Sequence, residues 1–452
     1  MKIVIIGDGK VGHKLTTQLS EEDYDIVLID QNEGKLQAAL NQMDIFCITG
    51  NGADVEVQKQ ADVPNADLVI ACASSDEMNM LSCLLARKIG AKHTIARLRN
   101  PIYYRQIDML KSDLHLSMAV NPELAAANEV ARILLFPEAN KVETFMKGRV
   151  ELVEYLVRGG SQLADLSLAE IYRKYKIKIL VCAVKRGKDV YIPDGDFVLS
   201  EGDKLHIAAA HENLKSFFKS LGRKNARVKN VLICGGGHLC FYLTNQLLQA
   251  GMQVKIIEKN KARCEELCEQ LPKAMIIHGD AADQDLLLEE GIQKADAFVA
   301  LTGMDEENII MSLFAKTQGV DKIVAKINNE TRAQMVEGLG IDSTISAKGA
   351  AANAILNYVK ARMNSYSNAN VETMYRLVNG RVEAQEYIIK KDCEYTNIPL
   401  KDLPTKQNHL IACIGRRRRV IIPNGEDHLE VGDSVIVVTK EHTIRELKDI
   451  LA

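Results

Sequence analysis

Short apolar runs at residues 3–6, 26–29, 45–48, 68–72 and 94–98 alternate with longer stretches at 11–20, 33–41, 76–89 and 102–110 whose apolar positions recur at helical spacing. Runs of four or five apolar residues predict strands buried on both faces, and the stretches between them predict amphipathic helices. Strand and helix in alternation predict an α/β fold, a doubly wound and mostly parallel sheet with helices on both faces. In such a sheet a ligand sits beyond the carboxyl ends of the strands, where the winding reverses. A further helix is predicted at about 121–135, with Asn121 as its cap and Pro122 at its first position. Its Ala125–Ala127 run permits close approach, either to a partner chain or to its own sheet.

The pattern occurs twice. IVIIGDGKVG (3–12) returns as VLICGGGHLC (231–240), and the acid Asp30 returns as Glu258, both 228 residues on. ITGNGAD (48–54) matches IHGDAAD (277–283), ACASSDEMNML (71–81) matches ALTGMDEENII (300–310), and TIARLRN (94–100) matches IVAKINN (323–329). Near the end of each copy, YIPDGDFVLSEGD (191–203) matches IIPNGEDHLEVGD (421–433). Landmarks kept in register over the whole length mark a duplication. The last part of each copy reads as a small α+β lobe: ILVCAV (179–184) and LIACI (410–414) predict strands that run into charged turns, and Gly202-Asp203 and Gly432-Asp433 precede another strand. The four arginines Arg416–Arg419 align with Arg186-Gly187-Lys188-Asp189 and are expected in an exposed hairpin turn.

The chemistry concentrates at the ends of the predicted strands. Gly7, Gly9 and Gly12 follow the first strand and open a helix, and Asp30 ends the second strand, which is the context a dinucleotide fingerprint requires. Gly7 serves the tight turn, Gly9 the approach of a pyrophosphate, and Gly12 the packing of helix on strand, while Asp8, Lys10 and Val11 complete the loop. The helix N-terminus offers unpaired N–H groups to phosphate. Asp30 is placed to accept from ribose hydroxyls, which favours NAD over NADP. The second copy keeps Gly235, Gly237 and Glu258, with Gly236 between the two glycines, but Cys240 stands where the third glycine would be, His238 replaces Lys10, and Leu239 follows. A neutral-pH histidine is a weaker, pH-dependent cation. Arg97, ending the fifth strand, and its counterpart Lys326 are expected near phosphates, and Asn51 and Asp280 near an adenine edge.

Bulk properties narrow the function. The 452 residues exceed one ordinary core. A net charge of −3 and the absence of tryptophan argue against a nucleic-acid surface. The ten cysteines show no metal-ligand spacing; Cys72, Cys182, Cys234 and Cys413 fall in apolar runs, and Cys264 and Cys268 have no completing ligands, so no metal is expected. No apolar segment is long enough to cross a bilayer, and a cytoplasmic location is expected. No constellation of catalytic groups stands out. The competing reading is an NAD-dependent oxidoreductase, which would join one Rossmann domain to a substrate domain bearing a poised acid or base.

GDGKVG, the acid ending strand two, TGNGAD, SSDEMN, ARLRNP and VNPELAAANEVARILLFP together resemble the TrkA family of bacterial and archaeal Trk potassium-uptake systems, built from RCK (regulator of potassium conductance) domains. The resemblance implies lobes at 1–136 (RCK-N), 137–222 (RCK-C), 228–363 (RCK-N) and 364–452 (RCK-C). It implies a regulatory subunit, not an enzyme, that binds NAD(H), ATP or ADP and docks on the inner face of the membrane against a TrkH- or TrkG-like potassium-translocating partner. It also implies a ring of RCK domains, hence a homotetramer for two units per chain. Family ligand positions carry over to the first glycine loop, Asp30, Ala73, Ser74 and Arg97, and in the second copy to 235–239, Glu258, Leu301, Thr302 and Lys326.

Overall fold

The computed structural model describes residues 1–451 apart from 23, 138, 222–227, 337, 338, 340, 342, 367–370, 379, 380, 418, 441–443 and 445. In the first copy β1 (Lys2–Ile6), β2 (Asp25–Asp30), β3 (Phe46–Thr49), β4 (Leu68–Ala71), β5 (Thr94–Arg97) and β6 (Met118–Val120) form one sheet in the order β3-β2-β1-β4-β5-β6. Every pairing is parallel, Ile3 lying between Ile26 and Leu68. The central strands are apolar throughout because helices cover both faces, leaving Ile3, Val4 and Ile5 without solvent contact. The order reverses between β1 and β4, so the loops after these strands face a crevice.

β7 (Lys141–Phe145), β8 (Val150–Leu156), β9 (Leu180–Arg186), β10 (Asp189–Tyr191) and β11 (Lys204–Ala209) make an antiparallel sheet, β10-β9-β11-β8-β7. The second copy repeats the parallel sheet with β12 (Asn230–Cys234), β13 (Gln253–Glu258), β14 (Met275–His278), β15 (Ala297–Ala300), β16 (Lys322–Lys326) and β17 (Ser343–Ile345) in the order β14-β13-β12-β15-β16-β17. It repeats the small one with β18 (Val371–Leu377), β19 (Val382–Ile388), β20 (His409–Arg416), β21 (Arg419–Ile421) and β22 (Ser434–Thr439).

The copies do not stand as two separate bodies. One unit comprises 1–131 and 229–356, which is both parallel sheets with their helices; the other comprises 132–228 and 357–452, which is both small lobes. The helix Pro122–Leu135, which starts in the first unit, is capped there by Asn121 Oδ1, which accepts from the Leu124 N–H at 2.9 Å. Asn121 Nδ2 also donates to the Tyr242 hydroxyl at 3.0 Å, and Asn128 Oδ1 accepts from Gln246 at 2.6 Å. The small-residue helix therefore meets the second copy of its own chain. Within the second unit the two antiparallel sheets share a core in which Phe145, Cys182 and Ala208 join Leu377, Ala384 and Cys413. Phe145 stacks edge-on against Tyr375, centroids 4.7 Å apart, and the Met146 N–H donates to Glu386 Oε2 at 3.1 Å.

Arg416 is not in an exposed turn. Its guanidinium grips Asp433 and also bonds Glu430 and the His428 carbonyl. The run is broken by the strand ladder: Arg416 ends β20 and is drawn back onto the buried Asp433, while Arg417 occupies the left-handed turn at φ 45°. Arg418 lies outside the described residues.

Candidate functional site: two glycine loops on one cavity

Gly7 turns the chain at φ +99°, where a Cβ would lie 2.8 Å from the Ala73 nitrogen. At Gly12 a Cβ would lie 1.9 Å from the Gly7 carbonyl oxygen. Both glycines are demanded by the protein itself. Gly9 differs: its φ of −81° suits any residue, and the nearest atom to a Cβ would be the Cys72 carbonyl oxygen at 3.8 Å. The space above Gly9 is thus not filled by protein. Gly237 has the same character, with nothing within 4 Å of its Cβ position, and Gly235 turns at φ +100° like Gly7. Gly9 and Gly237 head the helices Lys10–Ser20 and His238–Gln249, and neither helix start has a side-chain cap, so the first N–H groups remain available to an anion. Cys240 carries its sulfur into the lobe, 3.8 Å from Thr244 Oγ1, where burial pushes the thiol up to about 12.

The acids ending β2 and β13 brace these loops. Asp30 accepts from the Asp8 N–H at 2.6 Å and the Asn32 N–H at 2.8 Å. Glu258 accepts from Gly236 at 2.6 Å and Asn260 at 2.7 Å. Each carboxylate oxygen retains a second lone pair for a ribose hydroxyl.

Sequence reasoning missed the residues that hold the opposite wall. Buried Asn79 donates to the carbonyls of Ala73 and Arg97 at 3.1 and 2.9 Å, pinning the end of β4 to the end of β5. Asn308 does the same for Thr302 and Lys326 at 3.3 and 2.8 Å. Asp76 accepts from the N–H groups of Arg99 and Asn100, and Asp305 from those of Asn328 and Asn329. The available signal was the Asp-x-x-Asn spacing shared by SSDEMN and GMDEEN, which puts both side chains at the start of one helix.

This bracing aims the strand-end cations. Arg97 donates through one terminal nitrogen to the Ala73 carbonyl at 2.7 Å, and its buried Nε has no hydrogen-bond partner. Lys326 donates to the Thr302 carbonyl at 3.0 Å, and burial lowers its pKa. His238, beside the second loop, is likewise held below the usual imidazole range by burial, with Arg263 adding to the effect. It is therefore a poorer cation than the residue type alone suggested.

Both loops open on one cavity of about 1020 Å³. From the first copy Gly7, Gly9, Lys10, Val11, Asp30, Asn51, Ala73, Ser74 and Arg97 line it; from the second, Gly237, His238, Leu239, Leu301 and Lys326. Asp8, Gly12, Gly235, Gly236, Glu258, Asp280 and Thr302 lie off it. Arg99 and Lys348 add positive charge to the wall, and Glu123, paired with Arg99 at 2.8 Å, is an acid among them. The free room above Gly9 and the Arg97 side chain in the lining suit the pyrophosphate of a dinucleotide or the phosphates of ATP or ADP. Among the described residues no group of three or more His, Cys, Asp or Glu could hold a metal ion, and no helix is long and apolar enough to cross a membrane.

A parallel sheet in the order 3-2-1-4-5-6 with a glycine loop at its switch point, present twice and joined to small antiparallel lobes, defines a duplicated Rossmann protein of the nucleotide-binding kind. The TrkA-N domain model matches residues 3–122 and 231–347, and the TrkA-C domain model residues 152–222 and 384–452. The chain belongs to the TrkA family. It is 30% identical to the Trk system potassium uptake protein TrkA homolog of Archaeoglobus fulgidus, covering 100% of both chains. It is 30% identical to the Trk system potassium uptake protein TrkA of Haemophilus influenzae over 97% of this chain and 95% of that one. Among solved structures, the GsuK RCK domain shares the fold with a TM-score of 0.63 at 18% identity, over 97% of this chain and 92% of that one. The GsuK channel bound to NAD aligns with a TM-score of 0.64 at 18% identity, over 97% and 77%.

Proposed function

We propose that this chain is the nucleotide-sensing regulatory subunit of a Trk-type potassium-uptake system. Full-length similarity to proteins named for potassium uptake supports the system. The observation that carries nucleotide sensing is the cavity shared by both glycine loops, with open room above Gly9 and Arg97 in the lining. NAD(H), ATP and ADP are the ligands this lining suits. The chain transforms none of them: it binds, and the bound nucleotide biases the arrangement of the lobes.

A ligand does this only by binding one arrangement better than another. The subunit acts on a TrkH- or TrkG-like membrane partner from the cytoplasmic side, as a ring built from four chains. The lobes of each chain are those at 1–136, 137–222, 228–363 and 364–452. Calorimetric titration of the full chain with NADH, NAD, ATP and ADP tests the reading, with tight binding of at least one expected. Binding of none removes nucleotide sensing, and steady oxidation of NADH with small carbonyl compounds replaces it with an oxidoreductase.

A further inference from the structure

The two glycine loops differ on the side where an adenosine would lie. In the first copy that side is open, and Asp30, Gln31, Lys35 and Asn51 all line the cavity. Their counterparts Glu258, Lys259, Arg263 and Asp280 do not. The correspondence is set by the helix starts: Asn32 accepts from the Lys35 N–H, and Asn260 from the Arg263 N–H, each at 3.1 Å.

In the second copy Arg263 Nε donates to the Gly236 carbonyl at 2.7 Å, and its NH1 bonds Glu266 at 2.7 Å. The guanidinium thus lies against the glycine loop itself. Lys259 pairs with Asp280 at 2.6 Å, joining the end of β13 to the loop after β14. Neutral Gln31 and Asn51 offer the first copy no such pair. The Lys259–Asp280 pair is well exposed and holds weakly by itself. Arg263, with about a fifth of its side chain exposed, is the stronger closure.

We propose, building on the nucleotide reading above, that the chain binds one adenine nucleotide and not two. The adenosine lies in the first copy, and Arg263, helped by Lys259–Asp280, closes the ribose–adenine groove of the second. The second loop still faces the common cavity with His238 and Lys326, so it forms part of the wall around the ligand held by the first. An adenosine entering the second groove has to displace a charge-assisted hydrogen bond, a handicap of roughly ten- to a hundredfold in affinity.

Calorimetric titration of the full chain with NADH and with ATP tests this. The wild type is expected to bind one equivalent, and Asp30→Ala to lose it by at least about tenfold. Arg263→Ala combined with Lys259→Ala is expected to gain a second equivalent, which Glu258→Ala then removes. Two equivalents in the wild type, a full equivalent surviving Asp30→Ala, or no second equivalent in the folded Arg263→Ala/Lys259→Ala variant overturns the proposal while leaving nucleotide binding intact. Absence of any binding overturns the nucleotide reading itself.

Discussion

Arg416 holds Asp433 through both carboxylate oxygens, at 2.9 and 2.8 Å, and Arg186 holds Asp203 in the same way at 2.8 Å for each contact. The two aspartates are essentially without solvent contact, and each also accepts a backbone N–H from three residues earlier in its own turn. The hairpin β20–β21 and the turn entering β22 are thus tied by one bidentate contact, and the first small lobe repeats it.

Removing the arginine leaves a buried carboxylate without its cation, which is costlier than removing the pair. Arg416→Ala is expected to destabilise the small lobes by about 2–4 kcal/mol, and Arg416→Ala with Asp433→Ala by less than the sum of the single changes. Urea unfolding followed by circular dichroism measures both. Additive effects would show that the pair does not act as a unit.

The glycines of the first loop separate folding from binding. Gly12→Ala forces a carbon 1.9 Å from the Gly7 oxygen, so the thermal midpoint should fall, by an amount corresponding to about 1–3 kcal/mol. Gly9→Ala meets only an atom at 3.8 Å and should leave the midpoint unchanged while weakening nucleotide binding at least about tenfold. Scanning calorimetry and titration on the two variants distinguish the roles.

Asn79 touches the carbonyls that set the angle of Arg97. Asn79→Ala leaves two carbonyls without this donor and is expected to cost about 1–3 kcal/mol in stability, with loss of nucleotide affinity although Asn79 does not line the cavity. Asn308→Ala should cost similar stability. An Asn79→Ala variant with wild-type affinity would separate Arg97 from the ligand.

Two histidines carry a pH dependence. Burial lowers the His206 pKa, with neighbouring Lys141, Lys204 and Lys185 also lowering it and Glu154 opposing. Its folded value therefore lies below the unfolded one, near 6.5. The unfolded chain takes up the proton first, so stability is full above that pH and declines as pH falls through the interval. Denaturation midpoints between about pH 7.5 and 5 should show the decline, reduced in His206→Leu.

His238 stands in the cavity wall with Arg263, Glu123, Arg99 and Asp76 around it, and its pKa is also depressed by burial. Phosphate arriving beside it raises that pKa, so binding takes up a proton and tightens as pH falls from about 8 towards 6. Titrations in buffers of different ionisation enthalpy measure the uptake, and His238→Gln should abolish it.

Much of the molecule was legible along the chain. The duplication, the strands β1–β5, the helix starting at Pro122 and the loop containing Gly7, Gly9 and Gly12 follow from local pattern, because strand burial, helix capping and positive-φ turns are recorded within a few residues. The short β6 and β17, with three residues each, carry too little pattern to stand out. Arg416 was misread because a run of like charges says nothing about which member finds a buried acid 17 residues on.

Tertiary structure alone decided the rest. That both parallel sheets form one unit and both small lobes another depends on contacts between residues more than a hundred positions apart, such as Asn121 with Tyr242 and Met146 with Glu386. The sequence determined two loops of one chemical kind. Only packing decided that they open on a common cavity, and that Arg263 lies over one of them while Lys35 leaves the other open, because a long side chain's direction is set by the partners the fold brings within reach.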